Sequence, residues 1–213
     1  MIALDFDGTT ADTMPTLEEI AVKLITNYYK LSIDDARHKY RSTTGLPFVQ
    51  QIALLFPDNP ANLSVVSQFE QEKINSIFNL PLFEDTLETI DFLRKQGYLV
   101  AISSSTTQPT IEKYCENNNL IVDQILGYRP GFEKGKDHFD FLKKEFNLSS
   151  LELVYIGDSL KDCERAQSNE IFFIARIGMF TEEQFNQISK SRLAIKNLIE
   201  LKELIPKLNQ ISD

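Results

Sequence analysis

Three short apolar runs, each stopped abruptly by acids or hydroxyls, constrain this chain more than any other feature. Ile2-Ala3-Leu4 runs into Asp5-Phe6-Asp7-Gly8-Thr9, Leu99-Val100-Ala101-Ile102 into Ser103-Ser104-Ser105-Thr106-Thr107, and Leu153-Val154-Tyr155-Ile156 into Gly157-Asp158-Ser159. Continuous apolar runs of this length, bounded by glycine and polar residues, suit strands of a parallel sheet covered on both faces. Such strands deliver their carboxyl ends to one edge, which is where open α/β sheets bind ligands. The polar residues that end the three runs should meet there.

Along an extended segment, side chains two apart point the same way. Asp5 and Asp7 can therefore converge while Phe6 turns into the core, and Gly8 allows a sharp bend with close approach of a ligand. An Asp-Gly pair alone is a common turn; the second acidic strand end, at Asp158, is what points to chemistry. Three convergent carboxylates suit a hard divalent cation. Hydroxyls and backbone N–H groups at Ser103–Thr107 suit a phosphate oxygen. A helix–loop–helix calcium site is excluded, because its required glycine and glutamate places, counted from Asp5, hold Thr10 and Thr16. Gly131-Phe132-Glu133-Lys134-Gly135-Lys136 sets lysine just before a helix expected to begin near Asp137.

Strands are predicted at 1–5, 98–103, 123–127, 152–157 and 171–176, with a short one near 193–195. Helical spacing lies between them, as at Phe139, Leu142 and Phe146. This alternation predicts an α/β fold, a doubly wound, Rossmann-like parallel sheet. Segment 14–81 breaks the pattern. Leu17, Ile20, Ala21 and Leu24 mark one apolar helix face, and further helices are expected near 34–41, 47–56 and 63–78. The expected division is a core of 1–13 with 82–213 and an inserted all-helical domain, 14–81.

The formal charge of −9 argues against a nucleic-acid partner. An anionic substrate would need positive charge supplied locally, by a metal and a lysine. Cys115 and Cys163 are expected to be buried thiols, too few for a disulfide framework or a zinc site. No apolar stretch reaches membrane-spanning length and no signal peptide is recognisable, so a cytoplasmic protein without a membrane partner is expected. The two histidines, His38 and His138, read as surface or helix-capping residues.

Taken in order, these pieces resemble the haloacid dehalogenase (HAD) superfamily, in its phosphatase-like branch with a helical cap between the first and second motifs. Asp5-Phe6-Asp7-Gly8-Thr9 with Asp12-Thr13 is similar to the first motif, and Ser104, or less favourably Ser103, to the second. Lys134, with Lys136 as competitor, is similar to the third, and Gly157-Asp158-Ser159 with Asp162 to the fourth. The resemblance implies a phosphatase with Asp5 as nucleophile, Asp7 as general acid and base, and Ser104 and Lys134 on the phosphoryl group. It implies Mg²⁺ held by Asp5, the backbone carbonyl of Asp7, and Asp158. Asp162 would orient Lys134 or a metal-bound water. Gly8, Thr9 and Ser105 would line the substrate site, and Arg41, Thr44 and Gly45 would supply cap contacts. The plainer reading makes Arg41 a solvated helix residue and Gly45 a turn. A monomer or homodimer acting on a small phosphorylated metabolite is expected.

Two departures from the family stand out: only four residues precede Asp5, and Asn169-Glu170 replaces the glycine that usually closes the helix after the fourth motif. Asn169 is expected to take the left-handed cap conformation. Asp7 argues against dehalogenase or phosphonate chemistry. Sugar-phosphate mutases of the β-phosphoglucomutase type tend to carry a histidine where this chain has Met14-Pro15-Thr16, which leaves mutase as the alternative to hydrolysis. A signalling receiver domain is shorter and has no use for the helical insertion, and a non-catalytic binding or regulatory descendant would have no reason to keep all these groups. Phosphoglycolate, a sugar phosphate and a nucleoside monophosphate all remain open as substrates.

Overall fold

A computed structural model describes residues 1–188 and 193–211. The chain divides into two compact units, Met1–Ala11 with Leu82–Asp213, and Asp12–Pro81.

The first unit is built on a six-stranded sheet, ordered β3-β2-β1-β4-β5-β6 with every described pairing parallel. The strands are β1 (Ile2–Asp5), β2 (Val100–Thr107), β3 (Gln124–Tyr128), β4 (Val154–Gly157), β5 (Phe172–Arg176) and β6 (Leu193–Ile195). This is the doubly wound α/β sheet expected from the apolar runs. The chain moves outward from β1 through β2 to β3, then returns to β1's other side for β4. Strand order reverses between β1 and β4, the kind of switch point at whose carboxyl edge open α/β sheets bind ligands.

β1 is buried throughout because both faces are covered: Ile2, Ala3 and Leu4 are all within 1% of fully buried. Ala3 joins Ala101, Tyr155 and Phe173 in a core packed with Phe139, Leu142 and Leu153. Burying such side chains stabilises by roughly 1.5–3 kcal/mol each. β2 is longer than its apolar run suggests. It continues through the serines to Thr107, with a register irregularity against β3 between Ser103 and Thr107. The expected end at 103 was wrong because hydroxyl side chains can still ladder when the neighbouring strand supplies backbone partners.

In the second unit, α1 (Met14–Tyr29), α2 (Ile33–Thr43), α3 (Phe48–Leu55) and α4 (Asn62–Ile77) surround their own core. Leu17, Ile20, Ala21 and Leu24 point into it together with Tyr40, Phe48, Ile52, Val65 and Phe69. The rings of Phe48 and Phe69 stack at 3.8 Å. The first unit's helices are α5 (Thr86–Lys95), α6 (Gln108–Asn117), α7 (Lys136–Glu145), α8 (Leu160–Ser168), α9 (Glu182–Ile188) and α10 (Leu201–Ile211).

The end of α8 corrects one expectation. Asn169 keeps a negative φ of −111°, and the left-handed residue is Glu170, at φ 57°. Glu170 N–H donates to Gln167 O and Ile171 N–H to Ala166 O, the paired bonds of a Schellman motif. The motif places its left-handed residue one position beyond the cap, and Ile171 must follow to pack against Ala166.

Candidate active site

Asp5 ends β1 and Asp158 follows β4 directly, so the two acids flank the point where strand order reverses. Asp162, two residues into α8, joins them. The three buried carboxylates each place an oxygen within 4.8 Å of the others. Lys134 lies among them, its Nζ donating to Asp5 Oδ1 at 2.6 Å and to Asp162 Oδ1 at 2.8 Å. The lysine side chain is only 5% exposed. Lys136, two residues on, is 74% exposed and pairs with Asp140 on its own helix. α7 begins at Lys136, so its first residue faces solvent while the preceding loop turns Lys134 inward.

Asp162 is densely held. Its carboxylate also accepts from Tyr155 Oη at 2.9 Å and Ser159 Oγ at 2.6 Å, with Arg165 at 3.4 Å. Ser159 Oγ in turn caps α8 by accepting from Asp162 N–H. Glycine is required at 157 because a Cβ there would stand 2.7 Å from Asp162 Cβ.

The protonation pattern follows from this crowding. Burial pushes Asp5 well above the usual carboxylate range, and the neighbouring acids add to that against Lys134's pull. Burial likewise raises Asp158, with the charge of Asp162 adding to it, to about 7. Burial acts on Asp162 in the same direction, but Lys134, Arg165 and Ser159 outweigh it and hold its carboxyl down to about 2. Lys134 stays charged because the attraction of Asp162 and Asp5 exceeds the cost of burial. Burial thus makes Asp5 and Asp158 resist ionising on their own, and a cation between them would favour the charged form of both. An all-oxygen, buried, anionic donor set of this kind fits Mg²⁺.

Asp7 is not a side-chain member of this cluster. β1 stops at Asp5 and the chain folds back at once, Thr10 and Ala11 donating their N–H groups to Phe6 O. Strand alternation does not extend to Asp7, whose Oδ2 accepts from Thr106 Oγ1 at 3.2 Å. Its implied metal contact was through the backbone carbonyl. Gly8 makes the turn at φ 80°. Thr9 is fully buried and its Oγ1 has no hydrogen-bond partner, as is also true of Ser105 Oγ. Ser104 is buried, its Oγ accepting from Thr106 N–H at 3.0 Å.

The cap candidates lie in the helical unit with partners there. Arg41 forks onto Glu18 at 2.7 and 2.9 Å, Thr44 Oγ1 donates to Tyr40 O, and Gly45 takes φ 96°. His138 is corrected outright. It is fully buried, Nδ1 lies 2.9 Å from Ser103 Oγ, and its ring packs on Phe132. Burial first, and the Lys134 charge second, lower it to about 3. A signal for this existed in the sequence, since His138 precedes the core residue Leu142 by one helical turn.

Residues 2–176 match the family described as haloacid dehalogenase-like hydrolase. The chain belongs to that family. It is 23% identical over 181 residues to the phosphoglycolate phosphatase of Aliivibrio fischeri, 79% of each chain being covered. Against that of Synechococcus elongatus it is 22% identical over 185 residues, covering 86% of each. Among solved structures, a haloacid dehalogenase-like family hydrolase from Streptococcus pneumoniae superposes with a TM-score of 0.80 at 18% identity, over 96% of this chain and 97% of that one. That likeness carries the fold alone; the family match makes the chain a hydrolase.

Proposed function

We propose that this haloacid dehalogenase-like hydrolase is a Mg²⁺-dependent phosphatase of small phosphate monoesters, phosphoglycolate being the first substrate to try. The observation that carries the reading is the buried Lys134 shared by Asp5 and Asp162, with Asp158 completing the cluster at the sheet's switch point. The names of the two bacterial relatives support phosphoglycolate over the sugar phosphates and nucleotides.

Asp5 is the nucleophile in this reading. Its Oδ1 is engaged by Lys134 and by Phe6 N–H, each at 2.6 Å, which fixes the carboxylate that attacks phosphorus. Attack breaks the ester P–O bond and gives an aspartyl-phosphate. Asp7 gives its proton to the departing alkoxide, then takes one from the water that hydrolyses the aspartyl-phosphate. Lys134 and the Ser104 hydroxyl stabilise the phosphoryl oxygens, an oriented donor being worth about 3 kcal/mol in the transition state. Asp162 keeps Lys134 aimed. Mg²⁺, held by Asp5, the Asp7 carbonyl and Asp158, would offset the negative charge that otherwise repels a phosphate. Asp12–Pro81 is the cap, with Arg41, Thr44 and Gly45 as contacts that select the leaving group.

The test is phosphate release from phosphoglycolate, a sugar phosphate and a nucleoside monophosphate, with Mg²⁺ and after thorough chelation. Full activity after chelation would refute the metal-dependent reading, and no release from any of the three would refute the monoesterase reading.

A further inference from the structure

Arg176, the last residue of β5, is 93% buried at the same sheet edge as the acid cluster, one residue past the Gly157–Ala175 pair that precedes Asp158. A guanidinium is always charged, and removing one from water is expensive unless it is specifically held. Its Nη1 donates to Gly8 O at 2.8 Å and its Cζ lies 3.6 Å from the centroid of the Phe83 ring. These two partners belong to segments that are themselves joined. Phe83 N–H and Thr86 Oγ1 both donate to Thr10 O, and Ala11 bridges Leu82. Arg176 therefore clamps the turn that follows Asp7 from the side opposite β2. From the β2 side, Thr106 holds the Asp7 carboxylate itself.

We propose that Arg176 is a positioning residue for Asp7. By fixing the Gly8 carbonyl it sets the tight turn, and thereby the aim of the Asp7 carboxyl at the leaving oxygen. Packing alone would be served by an apolar side chain of similar length, at no desolvation cost. The planar fork is what lets one side chain donate to a carbonyl while its face covers an aromatic ring. The proposal rests on the reading of Asp7 as general acid, and its test separates the two.

The readout is kcat/KM on two esters, 4-nitrophenyl phosphate and phosphoglycolate. This constant covers the reaction only up to leaving-group departure, so the later hydrolysis of the aspartyl-phosphate does not enter it. Nitrophenolate leaves without a proton, whereas the glycolate alkoxide needs one. A misaimed acid should thus cost the alkyl ester selectively, by ~100-fold, with the aryl ester within about threefold. Arg176→Met should show that split, and Arg176→Lys a smaller one in the same direction. Asp7→Asn should show the largest. Equal losses on both esters in the Arg176 variants, with the split present in Asp7→Asn, would overturn the proposal while sparing the Asp7 reading. Equal losses in Asp7→Asn would overturn the Asp7 reading. If Arg176→Met does not fold, the split in Arg176→Lys decides.

Discussion

His138 should make the protein acid-labile in a way that a single substitution can isolate. The imidazole is fully buried and hydrogen-bonded to Ser103; burial first, and the Lys134 charge second, lower it to about 3 from its ordinary 6.5. Unfolding exposes a histidine that protonates near 6.5, so below that pH the unfolded chain binds a proton the native state refuses. The group's contribution is fully present above pH 6.5 and is lost as pH falls toward 3. A gap of about 3.5 pH units at about 1.4 kcal/mol per unit amounts to about 5 kcal/mol. Urea unfolding of the metal-free protein at pH 7, 6, 5 and 4, followed by far-UV circular dichroism and tyrosine emission, measures the slope. His138→Asn keeps a hydrogen-bonding group near Nδ1 but cannot ionise. Its own cost should be the same at every pH, and contributions from Asp158 and the other acids are common to both proteins. Between pH 6.5 and 4 the wild type should therefore lose about 3 kcal/mol more than the variant. Parallel stability curves would refute the assignment of a buried neutral imidazole.

Asp5→Asn is nearly isosteric and relieves a carboxylate that burial disfavours, so turnover should vanish while the melting temperature stays level or rises; more than a few per cent residual phosphate release would exclude Asp5 as the attacking group. Lys134→Ala should collapse kcat by ~100-fold or more, whereas Lys136→Ala, altering only a solvated pair with Asp140, should stay within about threefold; the reverse order would move the phosphate-binding lysine to 136. Glu170→Gly removes the strain of a left-handed residue and should stabilise by about 1 kcal/mol in urea unfolding, and a loss of stability would show that the Glu170 side chain itself matters.

The strands were legible because a parallel sheet covered on both faces demands unbroken apolar runs, and Ile2–Leu4 and Leu153–Ile156 supply them. Helical spacing likewise exposed the core face of α1. What failed were arguments carried past the end of an element. Alternation holds Asp5 on β1, whereas Asp7 sits inside the turn that Phe6 O closes. Residue type misled at two sites: histidine is common on surfaces, yet the 138–142 spacing put this one inside, and asparagine suits a left-handed cap, yet hydrogen bonding assigned it to Glu170. Arg176 left no trace in the sequence, since its partners Gly8 and Phe83 are remote along the chain and meet only once β5 lies two strands from β1.

The helical insertion leaves the core after Ala11 and rejoins it at Leu82, and these two residues are bridged, with Asp12 N–H bonded to Pro81 O just beyond them. Seventy residues are thus spliced in at what is, for the sheet, a hairpin whose stems are already zipped together. The closure entropy of such a loop grows only slowly with its length. The core can therefore accept a short turn, these four helices or a different insert at this seam without relearning how to fold. Lineages built on such a seam can exchange the insert while the strand-end chemistry stays unaltered.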